Sequence, residues 1–131
     1  MAGTIIADTL THSTAGSVTT DFVVNGSAKA WVNFNGTGTI ADNDSFNLST
    51  LTDSGTGIYR TNFTNAMSNV HHCNSFACRE NTTTNGGDIN RFVNYNRQIS
   101  SASYTDLTTQ TSGTTPVDLE MINVVTHGDL A

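Results

Sequence analysis

The sequence predicts an all-β fold, an antiparallel β-sandwich or barrel-like domain, from its composition and its patterning. The 131 residues include 23 Thr, 15 Asn and 12 Ser, with 11 Gly and a single Pro. Thr fits a half-exposed pleated surface, whereas Asn and Gly fit tight turns. No run of Ala, Leu, Glu, Lys or Arg is long enough to predict a long helix. Short alternating segments separated by turn signals complete the pattern of a sandwich or barrel.

The N-terminal residues are polar and weakly patterned, and they add little to a hydrophobic core. A short strand is predicted over Gly3–Leu10, followed by a polar stretch over Thr11–Thr20. The dipeptide Asn25-Gly26 is a strong turn signal. We therefore expect residues 1–27 to form an extended N-terminal arm that docks on neighbouring subunits, and residues 28–131 to form the sandwich domain.

Alternation of apolar and polar residues predicts the first strands of this domain. In Ala28–Phe34, Trp31 is out of phase with the other apolar side chains, so both faces of that strand are expected to be covered. Ser45–Ser49 and Ile58–Thr64 alternate as well. The composition of Thr52–Gly57 predicts a hairpin loop between them.

The second half of the domain contains further strand patterns. Asn81–Asp88 is typical of a polar loop, Arg91–Arg97 predicts a strand, and Ser100–Thr115 is a Ser/Thr-rich span anchored by Tyr104 and Leu107. The strand predicted over Val70–Cys78 has on one face Val70, His72, Asn74, Phe76 and Cys78. The last strand, predicted over Val117–Thr126, has on one face Val117, Leu119, Met121, Asn123 and Val125.

The charge balance excludes several classes of partner. The formal net charge is −6, and the chain contains only five Lys and Arg. A nucleic-acid-binding surface needs a cationic patch or stripe, which five basic residues cannot supply. Neither nucleic acid nor a membrane is therefore expected as a partner. No segment has the 18 apolar residues of a membrane span, and Met1–Leu10 lacks the basic start and long apolar stretch of a signal peptide.

One cluster contains residue types that ligate metals, His71-His72-Cys73 together with Cys78. Adjacent strand residues point to opposite faces, whereas a structural zinc site needs four convergent ligands. Two interpretations stay open: a half-buried strand histidine, or a histidine presented three times at the axis of a trimer. Five strand residues place the two cysteine Cα atoms roughly 16–17 Å apart. That separation is too long for a disulfide within the strand, so free thiols are expected.

Residue types that would support catalysis are sparse. Glu80 and Glu120 lie on separate segments, and the chain contains no Gly-x-Ser-x-Gly elbow. The run Asp42-Asn43-Asp44 lacks the Gly and Glu that an EF-hand loop requires at its sixth and twelfth positions. We expect neither an enzymatic activity nor a cofactor or a metal.

Four aromatic residues are candidates for an interface or a binding surface: Trp31, Tyr59, Tyr95 and Tyr104. Together with the abundant Asn and Asp they would suit a sugar-binding surface. The same side chains would equally serve as core and interface anchors. The sequence contains nothing that distinguishes these two interpretations.

The stretch Ala30–Met67 resembles a module that recurs in tail-fibre-like and other virion structural proteins of marine tailed bacteriophages. The recognisable pieces are the AWVNFNGTGT motif of Ala30–Thr39, then Ser45–Asn47, Thr52-Asp53 with Gly57, and Asn62–Thr64 with Ala66-Met67. The opening, Thr4–Leu10, is similar to the short N-terminal segment of such proteins.

The resemblance implies a non-enzymatic structural protein exposed on the virion surface, either a fibre-like appendage or a capsid decoration protein. It further implies assembly in the host cytoplasm, contacts with other virion proteins, and a homo-oligomer, with a trimer preferred. No catalytic residues are carried over from it. The alternative from a different functional class is a carbohydrate-binding module that recognises a host cell-surface glycan.

Overall fold

The computed structural model describes residues 3, 6–79, 91–95, 101–112 and 114–131. The predicted loop Asn81–Asp88 lies outside the described residues, as do Asn96 and Arg97 of the predicted strand. One helix, α1, covers Thr20–Gly26. The strands are β1 Thr9–His12, β2 Gly16–Thr19, β3 Ala30–Asn35, β4 Ala41–Phe46, β5 Leu48–Gly55, β6 Ile58–Phe63, β7 Cys73–Arg79, β8 Arg91–Tyr95, β9 Tyr104–Thr111 and β10 Met121–His127.

Eight of these strands form two four-stranded sheets that pack against each other. Sheet I has the strand order β4-β3-β10-β7, and sheet II has the order β5-β6-β9-β8. All neighbouring strands in both sheets pair antiparallel. The first and last strands of the domain, β3 and β10, lie side by side in the middle of sheet I. The prediction of an all-β antiparallel sandwich is confirmed.

The hydrophobic core lies between the two sheets. Phe34 of β3 and Tyr59 of β6 meet edge to face, with ring centroids 5.3 Å apart and an angle of 75° between the planes. The remaining buried members of this cluster are Val32, Leu107, Leu119, Ile122 and Val124. A second cluster consists of Ala30, Phe63 and Met67. The first cluster draws on both sheets and on the segment before β10, and the second draws on both sheets and on the loop after β6, so the sandwich supplies its own core.

The predicted strand Ser45–Ser49 is wrong, because the chain bends at Asn47. This residue has a φ of 56°, in the left-handed region that Asn tolerates better than most residues. The bend takes the chain from β4 at the edge of sheet I to β5 at the edge of sheet II. The alternation of apolar residues continues across the bend, so the pattern alone does not show it.

The last strand is present, and Met121, Asn123 and Val125 share one face as predicted, but the prediction that Leu119 continues that face is wrong. Ile122, Val124 and Thr126 are buried, whereas Met121 and Val125 are only half-buried on the opposite face. The strand begins at Met121 rather than Val117, and the irregular segment before it reverses the alternation, since Leu119 is buried as well. Because both faces of this central strand carry apolar residues, the sequence alone does not show where the alternation of buried and exposed residues reverses.

The described part of the predicted N-terminal arm is not one extended segment. β1 and β2 form a hairpin with Leu10 opposite Val18, and α1 follows directly. The predicted Asn25-Gly26 turn is the C-terminal end of this helix, where the Ser27 N–H donates to the Val23 carbonyl at 3.2 Å. Asp21 in the first turn suits the positive end of the helix dipole. Docking of this region on a neighbouring subunit stays a prediction.

Among the described residues, the single seven-residue helix is far from the length and apolar character needed to cross a membrane.

Candidate functional site

The structure separates the four aromatic residues that the sequence suggested as a surface. The prediction for Tyr59 is corrected: its side chain is fully buried in the core of its own chain. Its hydroxyl lies 2.8 Å from Asp118 Oδ1 and 3.0 Å from the Gly36 carbonyl oxygen. Burial, reinforced by the hydrogen bond to Asp118, raises the pKa of the Tyr59 phenol well above its usual value. Tyr59 is therefore a core residue and not part of any binding surface.

Tyr95 lies where the edges of the two sheets meet, between β8 and β7. Its ring packs edge to face on Phe76, with centroids 5.1 Å apart. Its hydroxyl oxygen accepts a hydrogen bond from the Asn74 N–H at 3.2 Å. Tyr95 is still 50% exposed. The residue closes this side of the sandwich and leaves one side of its ring accessible.

Tyr104 lies on the outer face of sheet II and belongs to a pre-organised cluster. The Arg60 guanidinium carbon lies 3.7 Å from the centre of the Tyr104 ring. Arg60 also binds Asp106 through two hydrogen bonds, with Nε–Oδ1 at 2.7 Å and Nη2–Oδ2 at 3.0 Å. Such a two-pronged pair fixes the plane of the guanidinium group. The Arg60 side chain stays 34% exposed while the carboxylate beneath it is nearly covered.

The same outer face continues as a polar surface along β5 and β6. The Asn62 amide donates to the Thr50 Oγ1 at 3.0 Å and to the Thr52 Oγ1 at 3.1 Å. The side-chain oxygen of Asn62, Oδ1, accepts no hydrogen bond among the described residues and is available as an acceptor, whereas the Asn62 main-chain oxygen accepts from the Ser49 hydroxyl at 3.2 Å. We call this surface the polar face, consisting of Thr50, Thr52, Arg60, Asn62, Tyr104 and Asp106. It presents fixed hydrogen-bond donors and acceptors on the outer face of sheet II.

Trp31 lies on the opposite side of the molecule, on the outer face of sheet I. It stands directly opposite Phe46 on β4 and Val125 on β10. Phe46 is 54% exposed, and the other two side chains are half-buried. We call Phe46, Trp31 and Val125 the apolar row. Beside it, Asn33 links Asn43 and Asn123 through side-chain hydrogen bonds of 2.7 and 2.6 Å.

Residues 6–26, here called the N-terminal unit, expose almost all of their apolar side chains. Ile6 is 93% exposed, Phe22 73% and Val24 59%. Leu10 and Val18, which face each other in the hairpin, are also exposed. Within the unit only Ala7 and Thr20 are half-buried. The unit therefore adds nothing substantial to the core of the sandwich.

Lys29 connects this unit to the sandwich. Lys29 is buried as a residue, and its ammonium group donates to the carbonyls of Val24 and Ser27, the latter at 2.8 Å. A cation at this place complements the negative end of the dipole of α1. The Lys29 N–H bonds the Thr126 carbonyl at 2.8 Å, so the end of α1 is held against the start of β3.

The histidine–cysteine cluster does not converge. His71 and Cys73 are exposed, while His72 is half-buried with Nε2 3.2 Å from the Thr105 hydroxyl. Burial lowers the pKa of the His72 imidazole, an effect that the Asn69 backbone partly offsets. Both cysteines are unpaired, and burial raises the pKa of the Cys78 thiol. Within the described ranges no group of three His, Cys, Asp or Glu side chains is placed to hold a metal.

Sequence patterns had not indicated the Arg60–Asp106 pair, the Lys29 anchor or the helix α1. The first depends on the register of β6 against β9, which places Arg60 opposite Asp106 although they are distant in sequence. The second depends on a helix whose seven residues are too few to give a periodic signal. Comparisons with the models of known protein families, with curated proteins and with solved structures find no match to this chain.

Proposed function

We propose that this chain is a non-enzymatic structural subunit on the surface of a tailed-phage particle, and that it works as a homo-oligomer, preferably a trimer. The observation that carries the proposal is the N-terminal unit with its exposed apolar side chains. In an assembly on the virion, as a fibre-like appendage or a capsid decoration protein, these apolar side chains are buried permanently against other subunits.

The N-terminal unit has little reason to be stable by itself in water. An isolated two-stranded hairpin is marginal, and so is a helix much shorter than about 12 residues. Burying a side chain such as Phe22 or Val24 contributes about 1.5–3 kcal/mol. In the single chain that contribution is absent, because both side chains are exposed. Contacts with other subunits supply it in an obligate assembly, whose interfaces are large and apolar.

The resemblance over Ala30–Met67 supports the virion role. This stretch covers β3 to β6 and the loop that follows, and it includes the Asn47 bend and Trp31. It therefore contributes both to the core and to the apolar row on the outer face of sheet I. The sequence is poor in residue types that support catalysis, with Glu80 and Glu120 on separate segments, and this supports a structural role.

Sedimentation equilibrium of the full-length chain and of a Phe22→Ser variant tests the proposed assembly. We expect oligomers for the full-length chain and a shift towards monomer for the variant. Phe92→Ser is the matched control, because Phe92 is a 47% exposed aromatic on the outer face of sheet II. Immunogold labelling of particles from a phage that encodes the chain tests the location. A monomeric full-length chain, or unlabelled particles, would contradict the proposal.

A second candidate function is recognition of a host cell-surface glycan by the polar face. The specific observation is the Arg60 guanidinium, fixed by Asp106 and stacked on Tyr104 beside the Asn62 amide. Aromatic rings with a polar tip and fixed hydrogen-bonding groups are suited to sugar rings. Titration with host polysaccharide should show saturable binding that weakens in Tyr104→Ala and persists in Phe92→Ala. Absence of saturable binding would remove this candidate and leave the structural role.

A further inference from the structure

We propose that the glycan bound by the polar face is a neutral sugar, that adjacent hydroxyl groups of this sugar contact Arg60 and Asn62, and that Asp106 sets the preference for a neutral ligand. This inference rests on the glycan recognition proposed above as the second candidate function, and it names the chemical class of the ligand. Acidic polysaccharides, whose carboxylates are attracted to an unpaired arginine, bind poorly to such a face.

The charges on the polar face cancel each other. Arg60 and Asp106 form its ion pair, with the guanidinium Nε 2.7 Å from the carboxylate oxygen Oδ1. The other charged residues in the described strands of sheet II, Asp53 and Arg91, have their side chains on the opposite face of the sheet. The chain as a whole has a net charge of −6. Across these described strands, an anionic ligand would therefore meet no uncompensated cation on the polar face, and the net charge of the chain would repel it.

Two hydrogen-bonding groups of opposite kind stay unpaired next to each other on β6. The pair with Asp106 occupies Nε and Nη2 of Arg60, whereas Nη1 donates to no acceptor among the described residues. Asn62 Oδ1 likewise accepts no hydrogen bond within the described ranges. Arg60 and Asn62 are two residues apart on one face of the strand, so their Cα atoms are about 6–7 Å apart. The polar face thus offers a donor and an acceptor side by side.

Both groups are held in place by contacts within the chain. The two hydrogen bonds to Asp106 fix the plane of the Arg60 guanidinium. The Asn62 amide nitrogen donates to Thr50 Oγ1 and Thr52 Oγ1, so the amide cannot turn over without losing these bonds. Because the two side chains are already ordered, little rotamer entropy is lost when a ligand binds to them.

Only a ligand that both accepts and donates hydrogen bonds satisfies the two groups. A hydroxyl group does both, whereas an ionised carboxylate only accepts. Adjacent hydroxyls of a sugar can accept from Arg60 Nη1 and donate to Asn62 Oδ1 at the same time. A carboxylate would accept from Arg60, but it would leave Asn62 Oδ1 unpaired and would lie near the negative charge of Asp106. The geometry therefore favours a neutral sugar.

Chemical modification of one polysaccharide tests the class of ligand. The full-length chain is titrated with host surface polysaccharide in its native form, after reduction of its carboxyl groups to alcohols, and after periodate oxidation, which cleaves the bond between carbons that bear adjacent hydroxyls. We expect carboxyl reduction to leave the dissociation constant unchanged or lower, and periodate oxidation to raise it about tenfold or more. Added salt should not weaken binding to the reduced polysaccharide, because screening acts on charged ligands.

The possible outcomes separate this inference from the candidate function beneath it. Loss of saturable binding after carboxyl reduction, or binding that survives periodate oxidation, would overturn the neutral-sugar assignment and leave glycan recognition intact. Absence of saturable binding to the native polysaccharide would overturn both.

Substitution of Asn62 tests the proposed acceptor. Asn62→Ala should raise the dissociation constant for the carboxyl-reduced polysaccharide about tenfold, because a sugar hydroxyl loses its partner. Asn94→Ala is the matched control, since Asn94 is an exposed asparagine on the same outer face of sheet II, and it should leave the constant unchanged. Circular dichroism checks that both variants are folded. A folded Asn62→Ala variant that binds like the unchanged chain would overturn the inference.

Substitution of Asp106 tests the origin of the preference. In Asp106→Asn the charge of Arg60 is no longer compensated, so this variant should bind alginate, a carboxylated polysaccharide, with an affinity that falls as salt is added. The unchanged chain should not bind alginate. Asp44→Asn removes the same charge at an exposed position on β4 of sheet I and should behave like the unchanged chain. Alginate binding by the unchanged chain, or none by a folded Asp106→Asn variant, would contradict the role given to Asp106.

Discussion

Two features of Gly57 favour glycine at this position: its backbone conformation and the closeness of neighbouring backbone atoms. Its φ of +66° lies in the left-handed region, and a Cβ atom there would stand 2.5 Å from the Thr109 carbonyl oxygen and 2.7 Å from the Val117 nitrogen. Both neighbours are backbone atoms that cannot turn aside. The backbone of Gly57 is also tied to its neighbours, since its N–H donates to Asp118 Oδ1 at 2.6 Å. This position holds the β5–β6 hairpin against the segment before β10.

We predict that Gly57→Ala destabilises the chain much more than Gly38→Ala. Gly38 has a nearly identical φ of +65° but nothing within 4 Å of the added methyl group, so that variant reports only the cost of the backbone conformation. That cost is about 1–2 kcal/mol, and overpacking at Gly57 adds about 1–3 kcal/mol. Urea denaturation followed by circular dichroism measures both. Equal losses of unfolding free energy in the two variants would contradict this prediction, because they would show that the backbone around Gly57 shifts to accommodate the added methyl group.

His72 is a titratable group that the fold keeps mostly from water. It stacks edge to face with Phe63 at 5.8 Å and contacts the Thr105 hydroxyl, which is also bonded by the Asn74 amide at 3.2 Å. Burial lowers the pKa of His72 in the folded state relative to the unfolded state. The unfolded chain therefore takes up the proton first as the pH falls.

We predict that the stability contributed by neutral His72 is fully present above about pH 6.5, its unfolded pKa, and is lost as the pH falls towards the lower folded pKa. The slope should stay below about 1.4 kcal/mol per pH unit, since one proton is involved. Urea midpoints between pH 7.5 and 5.5 measure it. His72→Gln should flatten the dependence, whereas His71→Gln, at an exposed position, should not. An unchanged slope in His72→Gln would refute the assignment.

At the scale of elements, the Asn47 bend connects the β3–β4 hairpin of sheet I to the β5–β6 hairpin of sheet II. The Asn47 amide nitrogen donates to the carbonyls of Lys29 and Asn65, both at 3.0 Å. Its side-chain oxygen accepts from the Asn65 N–H at 2.7 Å. One side chain thus ties the start of β3, the β4–β5 bend and the loop after β6 together. The positive φ of Asn47 and its side-chain hydrogen bonds contribute separately to the stability of the fold.

Two substitutions separate those contributions. We predict that Asn47→Gly keeps the backbone conformation and loses the side-chain bonds, at a cost of about 1–3 kcal/mol. Asn47→Ala loses both and should cost about 1 kcal/mol more. Thermal and urea unfolding of the two variants give the comparison. Asn47→Ala no less stable than Asn47→Gly would mean that the bend relaxes to a different conformation.

The elements also show how far the sequence could predict this fold. In β7 the alternation is simple, and Asn74, Phe76 and Cys78 are half-buried on one face as predicted. In β10 both faces carry apolar residues, so its phase was ambiguous. The bend at Asn47 occupies a single residue, and a one-residue bend leaves no trace in periodicity. The candidate surfaces were less predictable still, because Trp31, Tyr59 and Tyr104 differ in face and burial only through register.

At the scale of the whole molecule, the chain divides into a sandwich that has its own core and an N-terminal unit that has none. The core residues all lie between Ala30 and Val124. Removing residues 1–26 would therefore take no buried apolar side chain of the described residues from the sandwich. It would leave Lys29 without its Val24 carbonyl partner but with Ser27. The stability of the sandwich and the stability of the assembly are thus separable.

We predict that a chain beginning at Ser27 folds into the same sandwich but no longer assembles. Because association stabilises the folded state by mass action, the midpoint of thermal unfolding of the full-length chain should rise with protein concentration. The midpoint of the shortened chain should not depend on concentration. Differential scanning calorimetry over a hundredfold range of concentration, with sedimentation at the same concentrations, makes the comparison. A concentration-dependent midpoint in the shortened chain would place the subunit contacts on the sandwich itself and not on the N-terminal unit.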